Sequence, residues 1–220
     1  MQFNSFEFAF FFILVLAGAI VLARHVRARN IMLLAASYLF YGSWDWRFLG
    51  LLLVSTVVDY TCGRLLGVRG LRQGISPRRA RLLTLRGESD AYAPRSRRDR
   101  AVLMVSIGTN LGILGFFKYY GFFVESAAAL LTQLGLGASP ATLSIILPVG
   151  ISFYTFQTMG YTIDVYRGHA TPERDPLNFA LYVAFFPQLV AGPIERAGRL
   201  LPQIHSPTSV TWPGFYRACI

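Results

Sequence analysis

Residues 101–117, AVLMVSIGTNLGILGFF, contain no charged side chain, and stretches at 8–23, 31–44, 49–68, 122–138, 143–163 and 177–192 are almost as apolar. A chain with so many runs of this kind cannot hide them all in one water-soluble core of ordinary size. Runs near 20 residues long are long enough to cross a bilayer as helices. In lipid the backbone must satisfy its own hydrogen bonds, so helices are the natural form for such runs. The expected fold class is therefore all-α, a polytopic integral membrane protein with about six apolar helices, some short or broken. The composition agrees, since 54% of the 220 residues are hydrophobic, against roughly 45–50% in soluble domains.

The net charge of +10 would suggest nucleic acid in a soluble protein, but here it is localised. Residues 69–100 hold ten arginines and three acids, which supplies +7 of the total. That segment has no stacking aromatics in register and no zinc or helix-turn-helix spacing, so no nucleic-acid partner is expected. It fits a cytoplasmic loop obeying the positive-inside rule, with contact to anionic headgroups as a secondary role. The two cysteines, Cys62 and Cys219, give neither a disulfide framework nor metal spacing, so no metal site is expected.

Charge placement also sets the expected direction of the chain. The segment before the first apolar run contains Glu7 and no Lys or Arg, while Arg24, Arg27 and Arg29 follow it. This reverses the charge order of a secretory leader and places the N-terminus outside. The run 31–44 returns outward, with Tyr38, Tyr41, Trp44 and Trp46 at its interfacial end. Residues 49–68 run inward, and 101–117 run out again as far as Lys118, the only lysine, set among aromatics. Lys118 reads as an interfacial anchor or as a functional residue in a channel. Residues 122–138 read as an interfacial helix or a tilted short span. In 143–163, Pro148 and Gly150 predict a kink or a broken first turn. Asp164 and Arg167, three residues apart, are expected to pair on one helical face.

Residues 185–196, FFPQLVAGPIER, form a hydrophobic stretch that fails near its end. Two prolines six residues apart each remove a backbone donor, and Gln188 brings an amide that needs partners. Broken helices at membrane depth survive where they are buried in protein or line a wet cavity. The segment therefore reads as a cavity wall, or as a plain proline kink closed by Glu195 and Arg196. No hydrolase, metalloprotease or nucleotide-loop motif occurs. His25, His169 and His205 all fall in polar segments and read as solvated loop residues rather than tuned bases.

The stretches NLGILGFFKYYGFF, LPVGISFYTFQTMGYTIDVYRG and NFALYVAFFPQLVAGPIERAGRLLPQI, preceded by SYLFYGSWDWRFLGLLLVSTVVDYTCGRLL, resemble in series the membrane-bound O-acyltransferase family, in particular its alginate O-acetyltransferase branch. The resemblance implies tilted helices around a funnel and transfer of an acyl group from a cytoplasmic thioester, acetyl-CoA or another, to an acceptor hydroxyl. No bound cofactor is implied. It further implies the bacterial inner membrane, an extracytoplasmic polysaccharide as final acceptor, and partner proteins in the periplasm or envelope. Carried over residue by residue, Pro187, Gln188, Gly192, Pro193 and Arg196 are expected to line or support the funnel, together with Asp164, Tyr166 and Arg167. The family's essential histidine lies in an apolar segment well downstream of GPIER, and His205 does not match that setting. The catalytic histidine is accordingly expected beyond Ile220, and no catalytic residue is assigned within the chain. Residues 1–220 are then expected to be one partial domain, an N-terminal portion inactive alone. Two other classes stand beside this reading. A noncatalytic scaffold subunit of a polysaccharide-export complex is the alternative. A small transporter is disfavoured because the proline-broken runs are adjacent rather than repeated in two halves.

Overall fold

The computed structural model describes residues 5–72, 96–134 and 150–207. The described residues are helical, without strands, in eight helices. These are α1 (Phe6–Val21), α2 (Val26–Gly42), α3 (Trp46–Arg72), α4 (Arg97–Gln133), α5 (Ile151–Arg167), α6 (Pro176–Ala184), α7 (Phe186–Ala191) and α8 (Ala197–His205). The expected kink at Pro148 and most of the Arg-rich segment 69–100 lie outside the described residues. Its two ends are helical, because α3 continues to Arg72 and α4 begins at Arg97.

Local chemistry explains where several helices start. Ser5 accepts from the Phe8 N–H and caps α1. Ser96 and Asp99 form a reciprocal capping box at α4, each side chain bonding the other's backbone N–H. Asp175 accepts from the Leu177 N–H, and Pro176 stands in the first turn of α6, where its missing donor costs nothing. Gly150 and Gly168 bound α5 with φ of 78° and 80°, the left-handed region open to glycine.

Two helices, α3 and α4, are long and apolar enough to cross a membrane by length and composition, and α1 is a shorter apolar helix. The sequence pattern had divided residues 101–138 at Lys118. The structure instead carries one unbroken helix of 37 residues, about 55 Å long at 1.5 Å per residue. No proline or glycine pair interrupts it, so nothing local ends the helix there. Its buried residues, Asp99, Ser106, Asn110 and Leu114, all precede Lys118. Lys118 is exposed, with its ammonium 5.8 Å from the Tyr119 ring centre.

The main core joins Leu52 and Leu66 of α3, Leu114 of α4, Tyr154, Tyr161 and Val165 of α5, and Phe179 and residues 181–184 of α6. A second core gathers Val15, Ala36, Phe40 and Phe186. Phe186 packs with ring centres 5.4 Å from both Phe11 and Phe40, which ties α7 to α1 and α2. Glycines let α3 approach closely. A Cβ on Gly67 would stand 2.0 Å from the Pro172 ring, and one on Gly63 would stand 2.6 Å from Tyr161.

Candidate functional site

The broken segment is a helical hairpin that returns to the end from which it starts. α6 rises from Pro176, the backbone breaks at Phe185 (φ −55°, ψ 102°), and α7 resumes with Pro187 in its first turn. An unbroken helix would drive the Pro187 ring into the Val183 carbonyl, and the break removes that clash. The free Phe186 N–H donates to Ser37 Oγ at 3.3 Å. The chain then turns through residues 192–196 and comes back as α8. Asn178 at the start of α6 stands 3.3 Å from His205 at the end of α8, and the Tyr182 hydroxyl lies 3.4 Å from the Glu195 carbonyl just before α8. α6 and α8 are therefore antiparallel. The rising arm is about 22 Å long and α8 about 13 Å, both short of the roughly 30 Å of a hydrocarbon core.

Five of the expected residues lie in α7 and the turn that follows it. Gln188 is buried, and its amide N–H donates to the Pro193 carbonyl at 3.1 Å while its Oε1 has no hydrogen-bond partner among the described residues. Gly192 donates its N–H to the Gln188 carbonyl, and a Cβ there would press within 2.9 Å of the Gln188 Cα and Cγ. The glycine thus lets the turn close over Gln188. Pro187 is half-buried, Pro193 is exposed, and Arg196 is exposed at the N-cap of α8.

The other three expected residues stand elsewhere. Asp164, Tyr166 and Arg167 lie in the last turn of α5, while Leu189 of the hairpin packs at Gly150, before that helix begins. The separation is about 20 Å along α5. The expected Asp164–Arg167 pair is also absent. Arg167 is exposed and ends the helix, whereas Asp164 places its carboxylate 4.0 Å from His169 Nδ1 and its carbonyl takes the His169 and Ala170 N–H groups. The helix closes on Gly168 and folds the loop back over Asp164, which sets its partner.

α5 presents a polar face to the hairpin that hydrophobic counting had passed over. Tyr154, Gln157 and Tyr161 share one side at helical spacing. Gln157 donates to the Tyr182 carbonyl at 2.7 Å, and the Tyr182 hydroxyl sits 3.3 Å from the Gln157 carbonyl. Tyr161 packs against Phe179 with ring centres 4.7 Å apart and the planes tilted by 50°. The Tyr154 hydroxyl and Gln157 Oε1, both buried, have no partner among the described residues.

On the adjacent side of α5 lies a second buried polar cluster centred on Asp59, which is 0% exposed. Ser106 donates to Asp59 Oδ1 at 2.5 Å, Thr162 to the same oxygen at 3.3 Å, and Asn110 to Oδ2 at 2.7 Å. Asn110 also accepts from Ser55 at 2.6 Å and from Thr158 at 3.3 Å. Three helices are joined through side chains that a sequence pattern counts as scattered polar residues inside apolar runs.

A third network lies at the open end of the hairpin. Arg29, placed by charge pattern in a loop cluster, is 5% exposed and donates to the carbonyls of Ile204 and Ser206 at 2.8 and 3.0 Å. The carbonyl end of a helix attracts a cation. His205 is no solvated loop residue either. It ends α8, half-exposed, with Nε2 2.6 Å from Glu173 Oε2. The position expected for the family's catalytic histidine, beyond Ile220, lies outside the described residues, as does Ile220 itself. Among the described residues no group of three or more His, Cys, Asp or Glu could hold a metal ion.

The described residues form an all-helical protein whose two long apolar helices and one shorter one are consistent with a membrane protein. Comparison with known proteins gives the narrower class. The chain is 37% identical over 209 residues to the probable alginate O-acetylase AlgI of Pseudomonas putida, covering 94% of this chain and 38% of that one. It is 38% identical over 208 residues to the probable alginate O-acetylase AlgI of Azotobacter vinelandii, covering 94% of this chain and 37% of that one. It is 29% identical to the peptidoglycan O-acetyltransferase of Helicobacter pylori, covering 79% of this chain and 32% of that one. The resemblance to the alginate O-acetylase branch of the membrane-bound O-acyltransferases therefore runs along nearly the whole chain, which spans less than two fifths of the length of these relatives. No family model matches, and no solved structure matches.

Proposed function

We propose that this chain forms part of a membrane O-acyltransferase that acetylates an extracytoplasmic polysaccharide such as alginate, and that the hairpin 176–205 lines the path of the transferred group. The observation that carries the proposal is the hairpin itself. It is too short to cross a bilayer, it doubles back, and it encloses Gln188 with an unpartnered buried acceptor. An unpaired buried polar atom costs free energy, and a ligand or water in a funnel supplies the missing partner. Gln157 Oε1 and the Tyr154 hydroxyl on the facing side of α5 lack partners among the described residues in the same way. The names of the relatives support O-acetyl transfer as the chemistry.

In this reading the protein sits in the bacterial cytoplasmic membrane with its N-terminus outside and residues 69–100 in the cytoplasm. The open end of the hairpin then faces the cytoplasm, where acetyl-CoA or another acyl thioester is the donor. Envelope proteins of polysaccharide O-acetylation are the partners on the other side. Asp164, Tyr166 and Arg167 would support the cytoplasmic end of α5, and Pro187, Gln188, Gly192, Pro193 and Arg196 would shape the turn. No residue of this chain is assigned as the general base, a role left to a histidine beyond Ile220.

Gln188→Ala tests the proposal in a protein carrying the full length of its relatives. Acetyl transfer to polysaccharide, divided by the amount of protein in the membrane, is expected to fall at least tenfold. Unchanged specific activity would remove the funnel role from the turn.

A further inference from the structure

The network at the open end of the hairpin has only one possible hydrogen-bond direction. Arg29 can only donate. Its Nε and one terminal nitrogen reach Asn30 Oδ1 at 3.2 and 3.1 Å, so the Asn30 amide is fixed with oxygen toward α2's own arginine. Asn30 Nδ2 therefore points away and donates to Asn178 Oδ1 at 2.9 Å and to the Ile204 carbonyl at 3.0 Å. Asn178 must then turn its own Nδ2 toward His205 Nδ1, 3.3 Å away. That ring nitrogen accepts, so the proton of the neutral imidazole is on Nε2, where it is donated to Glu173 Oε2 at 2.6 Å. Glu173, 7% exposed, closes the chain by accepting the Arg174 and Asp175 N–H groups on its other oxygen at 2.8 and 2.9 Å.

We propose that this five-residue chain, Arg29–Asn30–Asn178–His205–Glu173, is a proton-sensitive latch that holds the returning helix α8 against α2 and α6. Neutral His205 closes it. A second proton on Nδ1 sets an N–H against the N–H of Asn178. Flipping the Asn178 amide only moves the conflict to Asn30, and Asn30 cannot flip because Arg29 has no acceptor to offer. One bond between the helices must open. The surrounding charges do not relieve this. Glu173, from the loop 168–175, holds the far side of the ring, and Arg29 of α2 stands at the other end of the chain beyond Asn30. Asp175 is engaged as the cap of α6, Tyr161 of α5 takes the Glu173 N–H on its hydroxyl, and Arg174 and Arg199 are exposed. His205 is half-exposed, so protons reach it, and histidine is the side chain whose charge changes near neutral pH.

Hydrogen exchange of the full chain in lipid nanodiscs tests the latch, with rates corrected for intrinsic exchange and with the first half of α4 as internal reference. Protection of the α8 amides is expected to fall about five- to tenfold from pH 8 to pH 5, the effect of one lost hydrogen bond. Equal protection at both pH values would overturn the proposal. Asn178→Asp supplies a decisive variant, because a carboxylate accepts from Asn30 and from protonated His205 alike. Its α8 protection should be at least as high at pH 5 as at pH 8, and a variant that follows the wild type would refute the latch. Should that variant not fold, His205→Gln removes the titration. Its protection should then be independent of pH, and a retained pH response would equally overturn the proposal.

Discussion

Asn110→Leu should be among the most damaging single changes in the bundle, because Asn110 is the hub through which α3, α4 and α5 share a buried carboxylate. The side chain is 1% exposed and has the same branched skeleton of four heavy atoms as leucine, so the change removes the amide while keeping the side chain's outline. Its loss strips Asp59 Oδ2 of the 2.7 Å N–H and leaves the Ser55 hydroxyl without its 2.6 Å acceptor. Ser106 and Thr162 cannot compensate, since both already bond Oδ1. A buried charged acceptor left short costs about 2–3 kcal/mol and a neutral hydroxyl about 1 kcal/mol. Side-chain hydrogen bonds between helices in a bilayer average only about 0.6 kcal/mol, because the released groups find other partners. Asp59 is fully enclosed and has no such recourse, so the larger figures should apply, for a total of about 3–4 kcal/mol. Reversible unfolding of the purified chain in mixed micelles, titrated with denaturing detergent, would measure it, with the exposed Thr132→Leu on the same helix as a control. A loss below about 0.6 kcal/mol would show that the cluster behaves as an ordinary bilayer contact. A Ser55→Ala, Asn110→Leu pair whose effects simply add would refute the hub, because members of one network must couple.

The close approach of α3 gives a matched glycine pair. Gly67→Ala puts a Cβ 2.0 Å from the rigid Pro172 ring and should lower stability by about 1–3 kcal/mol. Gly50→Ala on the same helix meets nothing within 4 Å and should be neutral or stabilising, since alanine is the better helix former. Folded yield after gel filtration separates the two. Topology is open to thiol labelling: a cysteine placed within residues 75–95 should react with a membrane-impermeant reagent only after cells are opened, and labelling of intact cells would reverse the orientation proposed for the chain. The direction of the latch is open to spectroscopy. Imidazole nitrogen resonances of the labelled chain at pH 8 should show His205 with Nε2 protonated and Nδ1 bare, and the opposite tautomer would break the Asn178 link.

What the amino-acid order decides by itself is local. Apolar length makes helices, Ser5, Ser96 with Asp99, and Asp175 cap them, and Pro187 forbids a straight run through Phe185. These follow from bonds within a few residues, so the helical class and the failure of the segment 185–196 are legible without a structure. The motif series is legible too, and it carries the resemblance to the O-acetylases. The unbroken α4 was missed because aromatics around Lys118 resemble an interface, while only the absence of a helix breaker governs the backbone. Which polar groups meet is another matter. Arg29 finds the carbonyl of Ile204 across 175 residues of sequence, Asp59 finds Asn110 across 51, and Asn178 finds Asn30 across 148. Nothing in local pattern marks Arg29 as buried or His205 as held, because a charge next to an apolar run reads as exposed until a distant carbonyl or carboxylate is brought beside it. The hairpin's return to its own starting end is decided in the same way, by contacts between α2, α6 and α8 that exist only once the helices have packed.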